Sequence, residues 1–204
     1  VALPAPPRRI VSLIPSITET LFALGLGDAI VGVTAYCVEP REGVASKTKV
    51  GGEKNPKLDL IRSLCPDLVV ANMEENVKEH VEQLRAWGFP VFVTYPRTVR
   101  EGIEMIRDLG AVTGTDARAE EIAGAIEPLY RQAVNLSKTW RPVRVFYPIW
   151  RDPWMTINGD TYIHQMLAAC GGKNIFADEE RRYFPVTLEA VAEKQPEVIL
   201  LPSE

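Results

Sequence analysis

The sequence predicts an α/β protein of two lobes, each built on a parallel sheet, joined by one long helix. Three observations carry this reading. Short β-rich apolar runs alternate with helical segments from residue 10 to residue 110, the order that builds a parallel sheet with helices on its faces. Residues 116 to 138 then carry Ile122, Ile126, Leu129, Ala133 and Leu136 at helical spacing, with no turn signal except Pro128. Finally, "LDLIRSLCPDLVV" at 58 to 70 is echoed without gaps by "LEAVAEKQPEVIL" at 188 to 200. Leucine, acid, apolar residue, proline, acid and β run recur in the same order, as in two lobes of similar construction. The expected division is a first lobe over 1–114, a connecting helix over 115–140 and a second lobe over 141–204.

In chain order, IVSL at 10–13 reads as a buried strand and "PSITETLFALGLG" as a helix, with Ser16 as its cap, Glu19 three residues on, and Gly25 and Gly27 ending it. AIVGV at 29–33 is the next strand. A stretch without evident structure follows to Gly52, with Tyr36 and Glu53 near its ends; loops of such length inside a compact domain tend to be functional. "NPKLDLIRSL" opens with Asn55 as cap and Pro56 at the first helical position, where the missing N–H costs nothing. Strand 67–71, helix 75–87, strand 90–94 and helix 98–110 complete the alternation. The helix over 116–138 would run about 35 Å at about 1.5 Å per residue and bend at Pro128, where one backbone bond is lost. VRVFYPI at 143–149 opens the second lobe, which is expected to be truncated because the chain stops at "LLPSE" just after a strand.

Composition removes several function classes. With 46% hydrophobic and 25% charged residues among 204, the chain can bury a sizeable core. A net charge of −4 without basic blocks gives no electrostatic footprint for nucleic acid. No apolar run reaches the roughly 18 residues of a membrane span, and nothing before Ile10 looks like a signal-peptide core. Cys37, Cys65 and Cys170 are odd in number and far apart, so no CxxC metal knuckle exists. No phosphate-binding loop, GxSxG or HExxH occurs, and Gly25 and Gly27 close a helix where a dinucleotide fingerprint would open one. His80 and His164 sit in separate helical segments and read as structural. No catalytic residue, metal ligand or intrinsic cofactor is expected: this reads as a binding protein, not an enzyme.

In open α/β sheets, ligands bind outside the carboxyl ends of the strands. Tyr36, Asn72, Tyr95 and Arg97 lie just past strands there, and Trp150 and Arg151 stand just past the first strand of the second lobe, in "PIWRDPWM". Aromatic planes offer large contact area and arginine a planar fork for anions. Together they suit a bulky, partly anionic ligand in a cleft between the lobes.

At "RIVSLIPSITETLFALGLGDAIVGVT", "KVGG", "LDLIRSLCPDLVVAN", "GFPVFVTYPRT" and "CGGKNIF…FPVTLEAV", the chain resembles the helical-backbone (class III) periplasmic substrate-binding proteins of ABC importers, nearest their cobalamin-binding members. The resemblance covers nearly the whole chain from Arg9. It implies two Rossmann-like lobes bridged by a stiff helix, with a metal chelate such as cobalamin or another corrinoid, haem or a ferric siderophore held between them. Residue by residue, it places Tyr36 at a cleft tyrosine, Phe184 at a cleft tryptophan, and Glu53 and Asn72 at two further tryptophans of the cobalamin binder. Trp150 and Trp154 would then rebuild the aromatic wall from the second lobe, which suits a different chelate. Asp59 and Glu189, paired already by the echo, match the acids that dock against the permease. The resemblance further implies a monomer outside the cytoplasm. The alternative is a cytoplasmic chelate carrier, or an enzyme acting on a tetrapyrrole or metal cofactor, since no signal peptide is present in this chain.

Overall fold

The computed structural model describes residues 3–202; Ser203 and Glu204, the last letters of the expected truncated end, lie outside them. The described chain divides into two compact units. One holds the chain up to Tyr95 together with Glu104–Ala123; the other holds Pro96–Ile103 and the chain from Gly124 onward.

The first unit is a five-stranded parallel sheet. Its strands are β1 (Ile10–Ser12), β2 (Ile30–Val33), β3 (Thr48–Lys49), β4 (Leu68–Asn72) and β5 (Val91–Thr94), in the spatial order β3-β2-β1-β4-β5. The central strands read as continuous apolar runs because both faces are covered: Ile10, Val11, Leu68, Val69 and Val70 are fully buried. One face packs Ile17 and Leu21 of α1 (Pro15–Ala23) and Leu109 of α5 (Val99–Thr113); the other packs Ile61 of α3 (Leu58–Ser63) and Val81 and Leu84 of α4 (Lys78–Ala86).

Helix boundaries depart from the residue types that announce them. Pro15 occupies the first turn of α1, so Ser16 lies inside the helix and Ile14 precedes it without a side-chain cap. The reciprocal capping box falls instead at the start of α5, where Glu101 N–H donates to Thr98 Oγ1 and Glu101 Oε2 accepts from the N–H groups of Arg97 and Thr98. Asn55 and Pro56 do not start α3 either: Pro56 bridges Gly51, and the helix opens at Leu58 after an uncapped Lys57. The stretch 34–52 is not structureless, for it holds α2 (Arg41–Ala45) and β3. Gly25, at φ +82°, does stop α1 as expected: its N–H donates to Phe22 O while Leu26 N–H reaches Leu21 O, a pair of bonds that needs a left-handed residue at this point.

Asp116–Ser137 is one helix, α6, with Pro128 inside it. It starts in the first unit and ends in the second, as α5 starts in the second and ends in the first.

The second unit has a three-stranded parallel sheet, in the order β10-β6-β8, formed by β6 (Val143–Phe146), β8 (Gly172–Asn174) and β10 (Val198–Ile199). Beside it, β7 (Met155–Ile157) pairs antiparallel with β9 (Tyr183–Pro185). Helices α7 (Tyr162–Ala169) and α8 (Leu188–Glu193) cover its cores. Leu167 of α7 packs with Val145 and Ile157, and Val191 of α8 packs with Phe146 and Phe176. Phe146 and Phe176 meet edge to face at 6.1 Å, the arrangement that ring quadrupoles prefer.

The sequence echo has a bonded counterpart in each unit. Ahead of β1, Arg9 Nε donates to Leu64 O at 2.9 Å, and Asp67 accepts from the N–H groups of Arg8 and Arg9. In the second unit, Arg144 Nε donates to Gln195 O at 2.8 Å, and Glu197 accepts from Arg144 N–H at 2.9 Å. Each clasp closes a parallel strand pair, β1–β4 in one unit and β6–β10 in the other.

Candidate functional site

In the first unit the candidate residues gather at the carboxyl edge of the sheet. Beyond β2, Thr34 and Cys37 are fully buried while Tyr36 between them is 65% exposed. Ala35 N–H donates to Gly51 O at 2.8 Å, and Lys49 Nζ to Cys37 O at 2.9 Å. The tyrosine ring leans on the backbone of Gly52, where an added Cβ would sit 3.3 Å from Tyr36 Cε2.

Beneath the loop runs a line of hydroxyls and one thiol. Thr18 Oγ1 donates to Ile14 O at 2.9 Å, meets Ser12 Oγ at 2.9 Å and lies 3.2 Å from Cys37 Sγ; Thr34 Oγ1 lies 3.1 Å from the same sulfur and donates to Glu53 Oε1 at 2.9 Å. A threonine has one proton to give, so with Thr34 committed to Glu53 the thiol is the donor toward Thr34. Cys37 therefore serves as a buried polar link, and the half-buried Glu53 carboxylate is its outer end.

Asn76, 8% exposed, is the hub of this edge. Its carboxamide donates to Glu53 O at 3.1 Å and toward Leu13 O at 3.4 Å, and accepts from Asn72 N–H at 2.8 Å. One side chain thereby ties together the chain past β1, β3 and β4. Nothing in its local sequence announces this role, because two of its three partners, Leu13 and Glu53, are remote along the chain. Asn72 is committed as well: its Oδ1 accepts from Glu74 N–H and its Nδ2 donates to Thr94 Oγ1. Its amide is part of the scaffold at the end of β4. Tyr95 follows β5 and is 37% exposed.

In the second unit, "WRDPWM" forms a tight loop. Met155 N–H donates to Trp150 O at 3.0 Å, Ile149 N–H donates to Met155 O at 2.9 Å, and Trp150 Nε1 closes onto Asp152 O at 3.2 Å. The Trp150 indole is 60% exposed, turned away from the core. Trp154 is half-buried, and its carbonyl accepts from Val186 N–H at 2.8 Å. With Arg151, Asp152 and Leu201, both indoles line a concavity of roughly 700 Å³. Among the described residues, Arg151 is exposed and makes no hydrogen bond or ion pair, so its planar fork is available to an anion.

Two other expected contact residues are engaged within the second unit. Arg97 lies 3.8 Å from Asp160, which also meets Arg182 at 3.4 Å. Phe184 packs edge to face on Phe176 at 5.7 Å and borders the core. Asp59 and Glu189 both stand exposed in the first turns of α3 and α8. His80 and His164 lie on α4 and α7, each with a buried Nδ1 that has no partner among the described residues, and burial holds the His164 imidazole below its ordinary range. No group of three or more His, Cys, Asp or Glu side chains among the described residues is placed to hold a metal ion. No helix of the described residues is long and apolar enough to cross a membrane.

A parallel α/β fold of two units with an aromatic and cationic loop beside a concavity defines a ligand-binding class. The chain belongs to the periplasmic binding protein family, whose sequence pattern matches residues 10–204. It is 30% identical over 198 residues to a vitamin B12-binding protein of Vibrio cholerae serotype O1, covering 97% of this chain and 71% of that protein. A vitamin B12-binding protein of Yersinia pestis is 32% identical over 198 residues, with 95% and 69% covered. Among solved structures, the periplasmic vitamin B12 binding protein BtuF of Vibrio cholerae superposes with a TM-score of 0.89 at 30% identity, covering 97% of this chain and 77% of that one. The periplasmic heme-binding protein RhuT from Roseiflexus sp. RS-1, in apo form, gives 0.86 at 31% identity, with 95% and 76% covered.

Proposed function

We propose that this protein is the substrate-binding component of an ABC importer and takes up a metal chelate of the tetrapyrrole kind, a corrinoid or a haem. It works outside the cytoplasm, and it binds and releases its ligand without transforming it. The observation that carries the reading is the loop of Trp150, Arg151 and Trp154 around a concavity of roughly 700 Å³, a volume within the usual range for small-molecule sites. Exposed indoles supply flat apolar contact, and the uncommitted guanidinium suits a phosphate or carboxylate on the ligand's periphery. The likeness to vitamin B12-binding relatives and to a heme-binding structure at comparable identity supports this class of ligand. On the same reading, Tyr36, Glu53 and Tyr95 are ligand-contacting residues, and Asp59 and Glu189 dock the protein onto its permease.

Tryptophan fluorescence titrated with cobalamin, cobinamide, haem and a ferric siderophore tests the proposal. Saturable quenching by a tetrapyrrole, with the ligand recovered unchanged, is the expected result; a flat response to all four would overturn it.

A further inference from the structure

We infer that Glu53 is a specificity residue: its carboxylate disfavours ligands whose rim carries carboxylates and favours those whose rim presents N–H donors. This rests on the chelate-binding reading above. The side chain is held at both ends. Asn76 fixes its backbone carbonyl at 3.1 Å and Thr34 fixes Oε1 at 2.9 Å, while Thr34 is itself buried against Cys37. Among the described residues no group donates to Oε2, so a carboxylate that only accepts still has acceptor positions to offer.

Among the described residues the Glu53 carboxylate makes no ion pair. Lys54, the next residue, turns away to Glu75 at 3.9 Å and to Glu74 O. Lys49 is committed to Cys37 O. Gly52, the residue before Glu53 in the chain, lies against the exposed ring of Tyr36. A flat ligand laid on that ring brings its rim beside this negative charge. Carboxamide N–H groups on the rim would donate to it, whereas a carboxylate about 6 Å away is repelled by about tenfold in affinity at an effective dielectric of about 40. The same charge on a fully mobile side chain would swing aside; Thr34 and Asn76 prevent that.

The test uses a matched pair, mesohaem and mesohaem diamide, which differ only in that the propionates of one are carboxamides in the other. Dissociation constants for both are measured by fluorescence quenching on the intact protein and on Glu53→Gln. Glutamine keeps the acceptor for Thr34 and removes the charge. Arg151, which attracts the same carboxylates, is present in both proteins, so the shift between them is the readout: Glu53→Gln is expected to move the affinity ratio about tenfold toward the dicarboxylate. Thr34→Val, which frees the carboxylate to move, should give a smaller shift in the same direction. A ratio unchanged by Glu53→Gln, in a protein that binds either compound, overturns this inference and leaves the functional reading standing. Failure to bind any tetrapyrrole overturns both.

Discussion

Cys65 and Gln195 hold the same left-handed backbone conformation, φ 46° and 49°, and among the described residues they are the only two non-glycines at positive φ. Each follows the C-cap of a short helix, α3 or α8, and each precedes a proline and the acid of the strand clasp. The turn is imposed by the clasp, since Arg9 and Arg144 hold carbonyls of the turn residues. A side chain there costs about 1–2 kcal/mol. Cys65→Gly and Gln195→Gly should therefore each raise stability by about 0.5–1 kcal/mol, after the added freedom of the unfolded chain is deducted. Urea midpoints at constant m-value would show it; a loss of stability in both variants would contradict it.

Asn76→Ala should cost about 2–3 kcal/mol, because it strips partners from buried backbone groups past three strands. Asn76→Asp should be no better, since it replaces the amide donor to Glu53 O and Leu13 O with an oxygen. Chemical denaturation measures both. Ligand affinity should fall in parallel, as Glu53 and Asn72 lose their common support.

Trp150→Ala and Arg151→Ala should each weaken tetrapyrrole binding by about tenfold or more. Both side chains are exposed, so unfolding free energies should move by no more than about 0.5 kcal/mol. Titration beside a urea melt separates the two effects.

Burial lowers the pKa of His164 from its ordinary 6.5, while the unfolded chain keeps the ordinary value. As pH falls through about 6.5 the unfolded state therefore takes up the proton first, and stability contributed above that pH is lost until the folded state also protonates. His164→Leu should flatten this acid-side decline, as followed by thermal or urea melts between about pH 7.5 and 5. An unchanged slope would show that other groups set it.

Reversing Asp59 and Glu189 together to lysine should abolish stimulation of the permease while ligand binding changes by less than about twofold. Each acid is exposed in the first turn of a six-residue helix, so the swap also costs some tenths of a kcal/mol from the helix dipole. Transport and binding assays on the same variant check it.

Strands and long helices were legible because burial writes itself as continuous apolar runs and helical spacing. The echo was legible for a related reason: the same helix, turn and clasp need the same residue types twice. Helix starts were harder, since Ser16, Asn55 and Thr98 are all good caps by type. Pro15 settled the first from inside the helix, the Gly51–Pro56 bridge claimed the second, and only Thr98 with Glu101 formed the reciprocal box. Exposed candidate residues such as Tyr36 and Trp150 stand out by chemistry and position. Asn76, Thr34 and Cys37 do not, because their roles depend on which loops the folded sheet brings together.

The three thiols also make the molecule its own measuring instrument. Cys65 and Cys170 are exposed and free, one in each unit, while Cys37 is sealed between two threonine hydroxyls. Maleimide dyes or nitroxide spin labels should attach at the outer pair and spare the inner one. The distance between the labels could then be followed as ligand is added, without a single engineered attachment point.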